Sequence, residues 1–154
     1  VDAGNSAGRI IFIDNQNYNN GIQLNQINGP ESDLPVTFIF SALKPVVLTG
    51  TITGNVRMFF AGDFQFGMGT ETVAYNGLTM FMSNGDMKIC SSIWSYKNNP
   101  GGGFLSSDKD ITIVESASFQ GQIQCRGNFK TSGLIQFNDS VLKAPGFTVP
   151  KGMK

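Results

Sequence analysis

The sequence predicts an all-β protein, and three observations support this prediction. Apolar and polar residues alternate with a period of two in several short segments, helical spacing of apolar residues is hard to find, and Gly, Asn and Pro interrupt the chain at short intervals. Residues with a period of two place their side chains on opposite faces of a strand. We therefore expect an antiparallel β-sandwich or jelly roll, with a β-solenoid as the alternative architecture.

The first apolar element lies near the amino end, where Ile10, Ile11, Phe12 and Ile13 follow a polar segment that begins at Val1. A strand that is apolar on both faces suits either a covered central strand or a strand inserted into the sheet of a neighbour. We interpret these four residues as a candidate assembly strand, with an internal strand as the simpler reading. Because the chain begins with Val1 rather than Met, we expect a processed product or a fragment.

Period-two alternation marks the following strands, and turn residues separate them. The clearest cases are at 36–40, 63–66, 78–82, 110–114 and 121–125. Between 70 and 92 the pairs Asn76-Gly77 and Asn84-Gly85 are typical of type I′ hairpin turns, which join antiparallel strands. These turns predict a central three-stranded meander.

Residues 97–103, with one Pro and three consecutive Gly, are the strongest break in the pattern. We expect a mobile Gly-rich loop there, inside a single all-β domain that covers 1–154, because the roughly 50 residues after it would make a marginal core of their own. A similarity between 49–53 and 120–124 keeps the solenoid open, although two matches are too few to define a repeat.

Composition and charge exclude several classes of partner. The chain has eleven basic and eleven acidic residues, and only 14% of its residues are charged. Without a basic cluster or a long apolar run, we expect no nucleic-acid partner and no membrane insertion. A net charge of zero leaves self-association electrostatically permitted, so we expect a homo-oligomer or polymer.

Catalytic and metal-binding motifs are hard to find in this sequence. It contains no His and two Cys, which excludes a His-based nucleophile system, a His-ligated zinc site and a four-thiolate site. Asp63 and Asp86 stand beside Gly in predicted turns, where a short carboxylate commonly accepts hydrogen bonds from local backbone. We therefore expect no enzymatic activity, no cofactor and no metal site.

One group of residues suits ligand binding. Trp94 and Tyr96 alternate onto one face before the Gly-rich loop, Asn98 and Asn99 lie within it, and Phe104 follows it. Aromatic rings and amides together suit sugars, because rings pack on C–H faces and amides bind hydroxyls. These five residues are a candidate site for a cell-surface glycan or receptor, and the competing reading makes Trp94 part of the core.

Cys90 and Cys125 are a candidate disulfide pair. Taken together, the observations predict a noncatalytic structural subunit of an extracellular, cell-surface or virion-associated assembly, such as a phage tail or capsid module or a pilus subunit, that self-associates through β-rich surfaces. The first alternative is a carbohydrate- or receptor-binding adhesin module. The second is a β-barrel that binds a small apolar ligand.

Overall fold

The computed structural model describes residues 1–17, 22–68, 78–93, 102–114 and 117–137, and they contain thirteen strands and no helix. The seven odd-numbered strands are β1 (Ile10–Ile13), β3 (Val36–Phe40), β5 (Val56–Phe60), β7 (Leu78–Ser83), β9 (Gly102–Ser107), β11 (Ser118–Cys125) and β13 (Leu134–Phe137). The six even-numbered strands are β2 (Ile22–Asn28), β4 (Val46–Thr53), β6 (Phe64–Phe66), β8 (Met87–Ile89), β10 (Ile111–Ile113) and β12 (Phe129–Thr131). The prediction of an all-β protein is confirmed.

The strands form two sheets, and the chain alternates between them. The seven-stranded sheet has the order β1-β3-β5-β7-β9-β11-β13, and the six-stranded sheet has the order β12-β10-β8-β6-β4-β2. Every strand pair in both sheets is parallel. Each coil therefore adds one strand to each sheet, which makes a parallel β-solenoid.

The antiparallel sandwich or jelly roll and its central meander are wrong. Alternation with a period of two indicates which face of a strand is buried, but it is the same for parallel and antiparallel neighbours. The turn at Asn84-Gly85 shows the specific error, since it joins β7 to β8 across the two sheets instead of closing a hairpin. Gly85 is not among the glycines of positive φ. A Cβ added there would lie 2.7 Å from the Asp63 nitrogen, so close approach between coils explains this glycine.

The last two residues of the Gly-rich loop predicted at 97–103 lie in a strand. Gly102 and Gly103 belong to β9, and residues 97–101 lie outside the described part of the chain. Gly103 pairs with Thr79 on one side and with Gly121 on the other. A Cβ on Gly103 would lie 3.0 Å from Ile93 and 3.1 Å from Phe119, so a glycine fits this tightly packed position in the strand.

Inward-facing side chains of equivalent strands stack in rows along the solenoid. In the seven-stranded sheet one row consists of Phe38, Met58, Phe81, Leu105 and Ile123. In the six-stranded sheet a second row consists of Val46, Phe64, Met87, Ile111 and Phe129. Phe60 stacks on Phe64 across the interior with ring centroids 3.9 Å apart. In these coils the interior is filled by side chains, so the β-barrel predicted for a small apolar ligand is wrong as a fold.

Candidate functional site

A ladder of side chains runs along the corner where the chain passes from the seven-stranded to the six-stranded sheet. Asp63, Asp86, Asp110 and Asn128 each precede an even-numbered strand. The Asp63 carboxylate accepts the N–H of Asp86 at 2.8 Å, Asp86 accepts the N–H of Asp110 at 3.1 Å, and Asp110 accepts the N–H of Asn128 at 2.7 Å. These carboxylates therefore join one coil to the next through the backbone, whereas the turn interpretation of Asp63 and Asp86 predicts hydrogen bonds to local backbone.

A second ladder lies inside the same corner. Ser83 and Ser107 are buried, and each hydroxyl donates to the carbonyl of the preceding coil, Ser83 to Gly62 and Ser107 to Gly85, both at 2.7 Å. The next position in this row is Cys125, whose thiol donates to the Gly127 carbonyl at 3.6 Å. The thiol occupies the hydroxyl's position in the row, but its weak contact is to a residue two positions ahead in its own coil and not to the preceding coil.

The cysteines do not form the disulfide considered from the sequence. Neither Cys90 nor Cys125 is disulfide-bonded. Cys90 directly follows β8 of the six-stranded sheet and its N–H donates to the Phe66 carbonyl, whereas Cys125 ends β11 of the seven-stranded sheet beside Ser107. The two residues lie two coils apart, and two strand spacings of about 4.8 Å exceed the Cα separation that a disulfide spans, so the fold keeps the two thiols apart.

The outer faces of the two sheets differ in polarity. Outward positions of the six-stranded sheet form the row Val47, Gln65, Lys88, Thr112 and Lys130. The matching row of the seven-stranded sheet is Phe12, Ile39, Phe59, Met82, Ser106 and Gln124, which is apolar over its first four members. A shallow groove of about 260 Å³ follows this second row, with Ile39, Phe59 and Met82 in its lining and Asn84 and Asp108 beside them.

The first end of the solenoid exposes apolar side chains on an edge strand. β1 pairs with β3 and has no second neighbour in the described ranges. Ile11 and Ile13 pack against the core, while Ile10 and Phe12 are 60% and 72% exposed. An edge strand with free backbone N–H and C=O groups and apolar side chains is a template for pairing with another strand.

The other end exposes side chains that belong to the inner rows. Phe129 continues the row of Ile111, and Phe137 pairs with Gly121 in the row that includes the buried Val56. Ile111 is fully buried, yet Phe129 is 39% and Phe137 is 64% exposed. The edge strand β13 carries a further exposed apolar residue, Leu134. Among the residues that the structure describes, no further coil covers this end, although its side chains have the composition of a core.

Formal charge differs between the two ends. The region in and around the first coil, residues 1–17 and 25–35, contains one basic residue, Arg9. It contains four acidic residues, Asp2, Asp14, Glu31 and Asp33, and all five charged side chains are exposed. Residues 117–137 contain two basic residues, Arg126 and Lys130, and no acidic residue. Arg126 forms an exposed ion pair with Asp108 of the preceding coil at 3.4 Å. The first end is thus acidic and the last end basic.

The candidate glycan-binding residues are not brought together by the described part of the fold. Trp94, Tyr96, Asn98 and Asn99 lie outside the described residues. Phe104 is an outward-facing residue of β9 between Met80 and Gln122, and it is only 4% exposed, so its ring does not face solvent.

Among the described residues, no group of three or more Cys, Asp or Glu side chains is arranged to hold a metal ion. Over the same ranges no helix has the length and apolar character to cross a membrane. Comparisons of the chain with protein-family models, with curated proteins and with solved structures find no match.

The sequence interpretation missed the last end of the solenoid. A repeated motif marks the coils, with Gly or Lys, then Asp or Asn, then an apolar-x-apolar or similar strand, at 62–66, 85–89, 109–113 and 127–131. The last copy, Gly127-Asn128-Phe129-Lys130-Thr131, identifies Phe129 as an inner-row residue. The intervals of 23, 24 and 18 residues between the Asp or Asn positions are unequal, and this irregularity hides the repeat.

Proposed function

We propose that this protein is a noncatalytic structural subunit that self-associates through the ends of its solenoid, within an extracellular, cell-surface or virion-associated assembly. One observation carries the proposal, which is the exposure of apolar side chains on the edge strands at both ends. A stack of parallel strands with open ends continues whenever another strand pairs with it, and repeat proteins that stay monomeric need polar caps at these positions.

The end strands lack the residues that protect natural edge strands from pairing. Natural edge strands avoid pairing through Lys, Pro, bulges or inward-pointing charges. β1 has the sequence Ile-Ile-Phe-Ile, and β13 has the sequence Leu-Ile-Gln-Phe, so neither contains a charge or a proline. The assignment to an extracellular or virion-associated assembly rests on composition alone, namely the low charge content and the many Asn and Gly residues.

Light scattering coupled to size exclusion tests self-association in the full chain. The unmodified protein is expected to form oligomers whose mass falls on dilution. Phe12→Lys places a charge on the edge strand at an exposed position, so it should leave the fold intact and raise the concentration needed for association by at least about tenfold.

Leu43→Lys is the matched control for that experiment. Leu43 is 83% exposed and lies in the turn between β3 and β4, away from any strand edge. This variant should associate like the unmodified protein. A protein that is monomeric at every concentration would contradict the proposal, and so would equal effects of the two substitutions.

The adhesin alternative stays a prediction. Four of its five residues lie outside the described part of the chain, and Phe104 is buried. A glycan array with the full chain tests it, and binding that is lost in Trp94→Ala would favour this alternative.

A further inference from the structure

The strands at the two ends of the seven-stranded sheet match in length and in the pattern of their side chains. β1 and β13 each contain four residues. In β1 the inward positions are Ile11 and Ile13, and in β13 they are Ile135 and Phe137. The outward positions are the first and third residue of both strands.

This match defines one parallel register between two copies of the chain. We propose that copies stack head to tail, with β13 of one copy in parallel pairing with β1 of the next, so that the seven-stranded sheet continues from copy to copy. The paired residues are Leu134 with Ile10, Ile135 with Ile11, Gln136 with Phe12, and Phe137 with Ile13. The inference rests on the proposed self-association and specifies its geometry.

Side-chain burial favours this register over a shift by one residue. Inward side chains of one copy then meet inward side chains of the next, and the exposed Phe137 gains Ile13 as a neighbour. Because Phe137 belongs to the row of Val36 and Ile13 to the row of Phe40, the next copy is offset by four residues along the strands. A slip of one residue would place the inward side chains of one copy beside the outward side chains of the other. Seven of the eight paired residues are apolar, and Gln136 faces outward toward solvent.

Charge favours head-to-tail stacking over the two symmetric alternatives. Pairing β1 with β1 would join two acidic ends, and pairing β13 with β13 would join two basic ends. Head-to-tail stacking joins an acidic end to a basic end, which stabilises the encounter at moderate ionic strength. Since this contact is heterologous, each added copy presents the same free end again, and the assembly grows as a filament.

Cysteine cross-linking between two separately prepared variants tests the register. Phe12→Cys and Gln136→Cys are made in a Cys125→Ser background, because Cys125 is partly exposed whereas Cys90 is buried. Directly paired residues of neighbouring parallel strands lie about 4.8 Å apart, within the range that a disulfide spans. A disulfide-linked dimer is expected when the two variants are mixed and oxidised, and neither variant alone should form one.

A second pair of cysteine variants controls for the case in which a substitution itself weakens association. Leu134→Cys mixed with Ile10→Cys is in register and should cross-link. Leu134→Cys mixed with Phe12→Cys is two residues out of register and should not. Dimers of Phe12→Cys alone or Gln136→Cys alone would overturn the head-to-tail arrangement.

Light scattering on the same samples distinguishes failure of this strand pairing from failure of self-association. Oligomers without a cross-link in either registered pair would overturn this strand pairing and leave self-association standing. Monomers in every sample would overturn both.

Discussion

The middle and the last coil of this solenoid differ in exposure although they share one geometry. In the inner row of the six-stranded sheet, Val46, Phe64, Met87 and Ile111 are at most 2% exposed, while Phe129 at the end of the row is 39% exposed. All five residues in this row are apolar. Burial in this fold therefore depends on the neighbouring coil, so an end coil that keeps apolar inner residues is suited to receive another coil.

The largest expected effect comes from an aromatic residue in the middle of the interior. Phe81 is fully buried and its ring lies 4.7 Å from that of Phe64, centroid to centroid. Phe81→Ala should lower the free energy of unfolding by about 3–5 kcal/mol, because it removes a large buried side chain and leaves a cavity. Urea denaturation of the variant measures this loss.

Phe137→Ala is the partner experiment at the end of the solenoid. Phe137 is already 64% exposed, so the monomer should lose less than about 1 kcal/mol. Association should weaken instead. Equal losses of stability in Phe81→Ala and Phe137→Ala would refute the distinction between middle and end.

The next largest loss of stability is expected where the backbones of two coils lie in close contact. Gly85→Ala would place a Cβ 2.7 Å from the Asp63 nitrogen and 2.8 Å from the Gly62 carbonyl carbon, and both are backbone atoms of the preceding coil. We expect a loss of about 1–3 kcal/mol in thermal or chemical unfolding. Gly4→Ala is the control, since its Cβ would meet only Asp2, at 3.5 Å, and stability should hardly change.

The buried serine ladder allows the same comparison between a middle coil and the last described coil, at the corner between the two sheets. The Ser107 hydroxyl donates to the Gly85 carbonyl and accepts from the Lys109 N–H at 2.9 Å, so Ser107→Ala leaves two backbone groups without that partner. The expected cost is about 1–3 kcal/mol. Cys125→Ala, in the last coil, removes one weak contact at 3.6 Å and should cost less in the same denaturation experiment.

The smallest effect is expected at the exposed aspartate ladder. Asp86→Ala removes the acceptor of the Asp110 N–H, and because water replaces it, the loss should be about 0.5–1 kcal/mol. Asn128→Ala should cost less than about 0.5 kcal/mol, since among the described residues no further coil uses its side chain. A larger loss from Asn128→Ala than from Asp86→Ala would show that the last coil is covered in solution.

Much of the secondary structure could be predicted from the sequence, whereas the arrangement of the strands could not. Strands at 36–40, 63–66 and 78–82 were visible because Phe and Met alternate with Thr, Gln and Ile on a two-residue period. Whether strands pair in parallel depends on contacts between residues 16 to 27 positions apart, as between Met58 and Phe81, and local patterns carry no such information.

The candidate site was predictable only in part. The run at Ile10 to Ile13 indicates a candidate assembly strand or an internal strand because it is apolar on both faces, and its role in assembly stays a prediction. Phe129 and Phe137 gave no comparable signal, since each resembles an ordinary core residue. Their exposure follows from their place in the last coil, which the unequal spacing of the repeat conceals.

Electron microscopy of the full chain at high concentration shows whether the solenoid associates through its ends. We expect unbranched filaments one solenoid wide, with an axial repeat of roughly 34 Å from seven strand spacings of about 4.8 Å. Particles of fixed size with subunits side by side, or monomers alone, would contradict association through the ends.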